Sequence, residues 1–260
     1  MRRAALLIAA SAAALPALAQ DAPADDWDLR EDSTRELALA TLEFQDAPVL
    51  AVRCARGELS VMVARLQPRV GPTRDLELTL GGHAGSGRWV AVGDGATAAR
   101  TVSGMTVREL AAGGEISLTV RDAAPPRRYR YAAPAGSAAL GRVLTACGQP
   151  TAYARDAERA TLRDAGWDID APPAWETAPR PGFPSRAFTR GVRLGRADLT
   201  CRLQPDRSLR ECEVEGEYPA GLGFGEEALT AAADARVEAS ERTTALTGRI
   251  ISFSTTFQLQ

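Results

Sequence analysis

Two short segments late in the chain alternate with the period of strands, and together they fix one register. Ala197, Leu199, Cys201 and Leu203 alternate with Arg196, Asp198, Thr200 and Arg202, the two-residue period of a half-buried strand. Cys212 and Val214 alternate in the same way with Glu211, Glu213 and Glu215. A turn at Asp206-Arg207 sets Cys201 opposite Cys212, Leu199 opposite Val214 and Arg202 opposite Glu211. That single assumption brings two cysteines within disulfide reach, pairs two apolar side chains and joins opposite charges on the wet face.

A helix is expected next, from about Phe224 to Val237. Glu226 and Glu227 in its first turn suit the positive end of the helix dipole. Phe224, Ala228, Ala231, Ala232 and Ala235 form an inward stripe, small enough to lie close on a sheet. The last strand-like stretch, Ile250 to Leu259, turns Ile251, Phe253, Phe257 and Leu259 one way and Ser252, Ser254, Thr256 and Gln258 the other.

Around these elements stand Phe183-Pro184, Arg186-Ala187, Gly191, the Pro219-Ala220-Gly221-Leu222-Gly223-Phe224-Gly225 lead-in and Gly248. In this order the parts resemble the C-terminal domain of TonB-type energy transducers, over residues 182–260. Trp175 with Pro179 resembles the Trp-x-x-x-Pro that precedes some such domains. The chain departs from the family pattern at Arg207, where many relatives carry Gly, and at Val237-Glu238-Ala239, where a Pro often follows the helix. It also lacks the long Pro-rich spacer of a complete transducer. The resemblance implies an α-β-β-α-β domain with a three-stranded antiparallel sheet. It further implies recognition of extended peptides from outer-membrane receptors by strand addition. Arg249, Ile250, Ser252, Ser254, Thr256 and Gln258 are the expected partner-binding edge, small and hydroxyl-rich, without the Lys or Pro that guards an edge. Self-pairing of this strand into a homodimer is the main rival, and cover by the rest of the chain is another.

The chain opens on basic Met1-Arg2-Arg3, then runs apolar from Ala4 to Ala19 apart from Ser11 and Pro16. Ala17-Leu18-Ala19 is a small-x-small cleavage signature. The run is shorter than the roughly 20 residues a spanning helix needs, and no cysteine follows it. A signal peptide over residues 1–19 is expected, cleaved after Ala19, leaving a periplasmic protein with no stable membrane anchor. All 31 basic residues are arginine against 33 acidic ones. Loss of Arg2 and Arg3 leaves 29 − 33 = −4, a balance that calls for neither nucleic acid nor anionic lipid.

Residues 20–148 read as a β-rich domain, a sandwich or a curled sheet with one closing helix. Its expected strands are Val49 to Ala55, Glu58 to Leu66, Asp75 to Leu80, Arg88 to Val92 and Glu115 to Arg121, separated by Gly-rich turns. Asp21 to Arg35 reads as a loose polar segment with Trp27 as an anchor, and Thr106 to Leu110 as a strand or a helical turn. Ser137 to Ala146 reads as the closing helix, stopped at Cys147-Gly148. Residues 149–181 read as a Pro-containing linker with a short helix at Ala154 to Ala165. The fold class is α+β. Of the three ways to pair four cysteines, only Cys54–Cys147 with Cys201–Cys212 respects this division, and an oxidising compartment permits both.

Catalytic chemistry finds no footing. His83 is the only histidine, in the turn Gly81-Gly82-His83-Ala84-Gly85, and reads as an exposed loop residue. With the cysteines paired, no metal site is expected. There is no Gly-x-Ser-x-Gly elbow, and without lysine neither a Walker A loop nor a Schiff base is open. Arg127-Arg128-Tyr129-Arg130-Tyr131 has the mix of a nucleic-acid surface, but in an exported protein it reads as a wet strand or a contact patch. The expectation is a non-enzymatic, cofactor-free interaction module for an envelope protein, such as a TonB-dependent outer-membrane receptor, related to TonB-dependent transport. The alternative is an exported ligand-binding protein or hydrolase whose β-rich domain carries the activity.

Overall fold

Alternating apolar residues in the first half make hairpins, and the hairpins stack their apolar rows in register. The computed structural model describes residues 26–80, 83–85, 88–167, 169, 171 and 173–259; the expected signal peptide lies outside them. The first half contains β1 (Asp28–Asp32), β2 (Leu37–Leu42), β3 (Val49–Ala55), β4 (Glu58–Ala64), β5 (Thr73–Arg74), β6 (Leu76–Leu80), β7 (His83–Gly85), β8 (Trp89–Val92) and β9 (Thr97–Thr101). After them come α1 (Gly104–Ala112), β10 (Gly114–Val120), β11 (Arg127–Ala133) and α2 (Ala138–Ala146). The strands form a seven-stranded sheet, β1-β2-β3-β4-β9-β8-β5, and a four-stranded sheet, β11-β10-β6-β7. In the larger sheet Ala40, Val52 and Val61 lie side by side across β2, β3 and β4, and Leu42, Leu50 and Val63 form the next row. Those rows share one core with Leu78, Ile116 and Leu118 of the smaller sheet and with Leu140, Val143 and Leu144 of α2. The Cys54–Cys147 disulfide ties the end of α2 to β3.

Several expectations change here. The segment before Arg35 is not loose: β1 pairs along β2, Trp27 is buried, and the Asp26 carboxylate accepts from Ala138 N at 3.1 Å at the start of α2. Thr106 to Leu110 lies in a full helix, α1, because Ser103 caps Thr106 N at 3.3 Å and Gly113, with φ 81°, stops it. β2, β5, β7 and β9 lie outside the expected strands, whereas the stretch read as a wet strand or a contact patch is a strand, β11. β11 is the Arg-rich stretch, with Arg127, Arg128 and Arg130 exposed and Tyr131 buried, its hydroxyl donating to Pro48 O at 3.1 Å.

One buried ion pair joins the turn after β10 to β5. Arg74 Nε and Nη2 meet the two carboxylate oxygens of Asp122 at 2.8 and 3.1 Å, and both side chains are buried. The guanidinium holds the Asp122 carboxyl below its ordinary value of 3.8. A depressed carboxyl contributes stability above the unfolded value and loses it as pH falls through the folded one. Asp122→Asn is therefore expected to cost about 3 kcal/mol at neutral pH, the scale for breaking a buried pair. In urea titrations across pH, the gap between wild type and variant should persist above pH 3.8 and close below it. A gap that stays constant into acid would refute this assignment.

The second half is built on the predicted hairpin. It runs α3 (Asp156–Asp164), β12 (Trp175–Thr177), α4 (Ser185–Thr189), β13 (Leu194–Leu203), β14 (Leu209–Tyr218), α5 (Phe224–Ala232), β15 (Arg236–Val237), α6 (Glu241–Leu246) and β16 (Ile250–Gln258). The sheet is three-stranded and antiparallel in the order β14-β13-β16, so the class is α+β. Leu199 sits opposite Val214 as expected, and Cys201 is bonded to Cys212. Arg202, however, lies opposite Arg210 rather than Glu211. A bulge takes up the extra residue, with Glu211 at φ 49°, and Arg202 Nε still reaches Glu211 at 3.1 Å. Arg207 occupies its turn position at φ 67° without being Gly.

Phe224, Ala228, Ala232 and Ala235 pack with Leu199, Phe253 and Phe257 in the second core. Gly195 is required there, since a Cβ on it would lie 2.2 Å from the Phe224 ring. The helix α5 ends at Ala232, short of Val237, because the chain leaves it to form β15 against β12.

The described residues between 149 and 181 include several that pack into the second half. Leu162 and Ile169 belong to the second core, Trp175 packs against it, and the Trp175 and Phe253 rings meet edge-on at 5.1 Å. The segment first runs along β14, where Gln149 Nε2 donates to Glu217 O at 3.3 Å and the Tyr153 hydroxyl donates to Val214 O. Arg155 then forks onto Thr200 O, at 2.9 Å, and Glu211 O, the carbonyls of strand residues flanking the bulge.

Candidate functional site

The expected partner edge is the outer side of β16, and its backbone parity follows from its ends. Leu203 N donates to Arg249 O and Leu259 N to Arg193 O, both at 3.0 Å, so odd-numbered residues point their N–H and C=O toward β13. In an antiparallel ladder the alternate residues then point outward: Ile250, Ser252, Ser254, Thr256 and Gln258.

The protein itself uses part of that edge. Ser252 N donates to Ile169 O at 2.9 Å, and Ile250 and Ser252 are buried. Arg249 lies before the strand, with its guanidinium 4.8 Å over the Trp167 ring and its Nε donating to Ala245 O at 3.3 Å. Three of the six expected residues are thus internal contacts. The other three, Ser254, Thr256 and Gln258, are exposed. Among the described residues, no hydrogen bond outside the sheet reaches their backbone groups.

The open part is held from behind. Ser254 Oγ donates to Asp198 Oδ1 and accepts from Arg196 Nη2 at 2.8 Å, while Arg196 Nε reaches Asp198 Oδ1 at 2.8 Å. Phe253 and Phe257 anchor the opposite face in the core. A strand fixed on both faces needs little further ordering when a partner arrives.

Sequence reasoning missed the polar cluster under the other half of this sheet. Arg159 Nη2 donates to Glu215 Oε1 at 2.8 Å and to Thr200 Oγ1 at 2.9 Å, and its Nη1 meets Asp156 Oδ1 at 2.8 Å. Thr200 Oγ1 lies 3.1 Å from Ser252 Oγ, which carries the cluster to β16. From α1, Arg108 Nε reaches Asp156 Oδ2 at 3.0 Å and its Nη2 donates to Glu215. Arg108, Arg159 and Glu215 are all buried. The cluster therefore joins the β-rich half to the C-terminal sheet.

Among the described residues, no group of three or more His, Cys, Asp or Glu is placed to hold a metal. His83 contributes backbone to β7, and its side chain lies outside the description. No helix of the described residues is long and apolar enough to cross a membrane.

No known protein family matches the chain, and no curated protein matches it. Among solved structures, the solution NMR structure of the Pseudomonas aeruginosa TonB C-terminal domain is similar at 20% identity, over 35% of this chain and 90% of that one, with a TM-score of 0.28. A TM-score that low carries no argument about this chain.

Proposed function

We propose that this protein is a periplasmic, TonB-like interaction module that binds an extended segment of an envelope protein by strand addition at β16. The proposed partner class is an outer-membrane receptor of the TonB-dependent kind, and no catalytic step is assigned. The carrying observation is the stretch Ser254–Gln258, rigidly backed, exposed at Ser254, Thr256 and Gln258 and with outward backbone groups at those three residues. Each backbone hydrogen bond gained there is worth about 0.5–1.5 kcal/mol net, and side chains tune the choice of segment. Two disulfides are in keeping with an oxidising compartment.

Ser254→Pro removes one outward N–H and should abolish capture of envelope partners, while Ser254→Ala, which keeps the N–H, should retain most of it. Circular dichroism must show both variants folded. Undiminished capture by the folded Pro variant would sink strand addition at this edge. A wild-type protein that sediments as a dimer, and a Pro variant that sediments as a monomer, would instead favour self-pairing. The alternative, a ligand-binding role involving the β-rich half, is favoured by one feature, a cleft at the junction of the two halves.

A further inference from the structure

Strand β11 closes one end of the four-stranded sheet, and among the described residues it pairs with β10 alone. Arg121 N donates to Asp75 O at 2.9 Å, in step with the β10–β6 ladder. Odd-numbered residues of β10 therefore turn their backbone groups toward β6 and even-numbered ones toward β11. The partners of the latter, Tyr129 opposite Leu118 and Tyr131 opposite Ile116, point back at β10. Arg128, Arg130 and Ala132 are left with N–H and C=O pointing outward. Among the described residues, no backbone hydrogen bond from outside the sheet reaches them.

The side chains of this edge divide between its two faces. Tyr131 and Ala133 lie in the first core, and Tyr129 packs against it. With its tyrosines held there, the edge lacks the open aromatic platform on which a nucleic acid stacks. Arg128, Arg130 and Ala132 are exposed on the other face. Arg128 Nε donates to the Ser117 hydroxyl at 2.9 Å rather than to a carboxylate. Arg130 has Glu115 at 3.9 Å, with both side chains 65% exposed, a pair that water screens. Glu77, on the same face, is taken by Arg121.

Charges along an edge turn most strands away. A second copy of β11, laid antiparallel and centred on Arg130, would set that arginine opposite itself. An acidic strand meets the opposite situation: carboxylates at alternate positions would face Arg128 and Arg130, and the residue between them would lie beside Tyr129. We propose that β11 binds an extended acidic segment of another protein, added as a further strand, with alternate carboxylates on Arg128 and Arg130. The site uses no residue of β16, so it stands or falls apart from the strand addition proposed there.

Short synthetic peptides that alternate Val with Glu, with Gln or with Arg can be titrated calorimetrically into the purified protein at low salt. The Glu peptide should bind saturably, about tenfold or more tighter than the Gln peptide, and the Arg peptide should not bind. Added salt should weaken the Glu peptide. Arg128→Gln/Arg130→Gln changes exposed side chains, so it should keep the wild-type melting temperature while weakening the Glu peptide about tenfold or more. If that variant fails to fold, hydrogen exchange on the wild type decides. The peptide should slow exchange at the amides of Arg128, Arg130 and Ala132 and leave those of Ser254, Thr256 and Gln258 unchanged. Absence of saturable binding, a Gln peptide that binds equally well, full affinity in the folded arginine variant, or protection at Ser254 instead of Arg130 would each overturn the proposal. So would displacement of the peptide by a short oligothymidylate, the mark of a general polyanion surface. A wild-type dimer that Arg130→Pro dissolves would overturn it in favour of a second copy.

Discussion

Arg159→Met is expected to lower the free energy of unfolding by about 3–5 kcal/mol, the scale for removing one member of a buried ion pair. The side chains of Arg159 and Glu215 are 2% and 1% exposed, so solvent cannot compensate either charge. Without Arg159, Glu215 keeps Arg108 but loses a donor at 2.8 Å, and the Thr200 hydroxyl loses one at 2.9 Å. A second substitution separates the pair from the packing. In Arg159→Met/Glu215→Met the two charges leave together, and Arg108 keeps Asp156 at 3.0 Å. Replacing a whole buried pair by apolar groups is often neutral, so the double variant should recover at least half of the loss. Urea unfolding of the two variants measures both numbers. A single variant within about 1 kcal/mol of wild type, the worth of an ordinary hydrogen bond, would mean the cluster is incidental. Additive losses would mean that the pair itself is not what the sheet depends on. The same cluster reaches Ser252 through Thr200, so Arg159→Met should also loosen β16 and weaken partner capture.

Legible in the sequence were the parts with a strong period and a local partner. The β13–β14 hairpin declared itself through Leu199, Val214 and the two cysteines, because alternation and a short turn leave few registers open. The bulge at Glu211 was not legible. It shifts the ladder by one residue, and a glutamate at positive φ carries no sequence mark. Helix α3 was read as a possible piece of a linker because Arg155 and Arg159 look like solvent-facing residues. Buried arginine is exceptional, and only the partners name it: Glu215 and Thr200 lie 56 and 41 residues away. The edge was half legible for the same reason. Ser252 and Ser254 have the same parity and chemistry, but Ile169 takes the first and leaves the second open. Strand β9 was hidden because Ala98 is its one buried apolar anchor beside a buried arginine and small residues, so pairing, not composition, makes it a strand.

Removing the Cys54–Cys147 disulfide is expected to cost more than removing Cys201–Cys212, although the second lies nearer the proposed edge. The bonds span 93 and 11 residues. If each acts mainly by restricting the unfolded chain, the longer loop is worth about 4.5 kcal/mol and the shorter a little under about 3. The native state adds to the difference. Cys54 and Cys147 are 1% and 2% exposed, and their bond fixes the end of α2 against β3, on the side of the core that carries Leu140, Val143 and Leu144. The Cys201–Cys212 bond lies within a hairpin that is already held without it. Its ladder runs from Arg196 opposite Tyr218 to Leu203 opposite Leu209, and the Arg202–Glu211 ion pair adds to it. Paired alanine substitutions, Cys54→Ala/Cys147→Ala and Cys201→Ala/Cys212→Ala, followed by urea unfolding under the same conditions, should rank the bonds in that order. Partner capture should survive the second pair of substitutions, because Ser254 to Gln258 are anchored by Phe253 and Phe257 in the core and by Arg196 and Asp198 on the other face, none of which the bond supplies. An equal or larger loss from the hairpin bond would mean that the strand pair beneath the edge depends on its crosslink rather than on its packing.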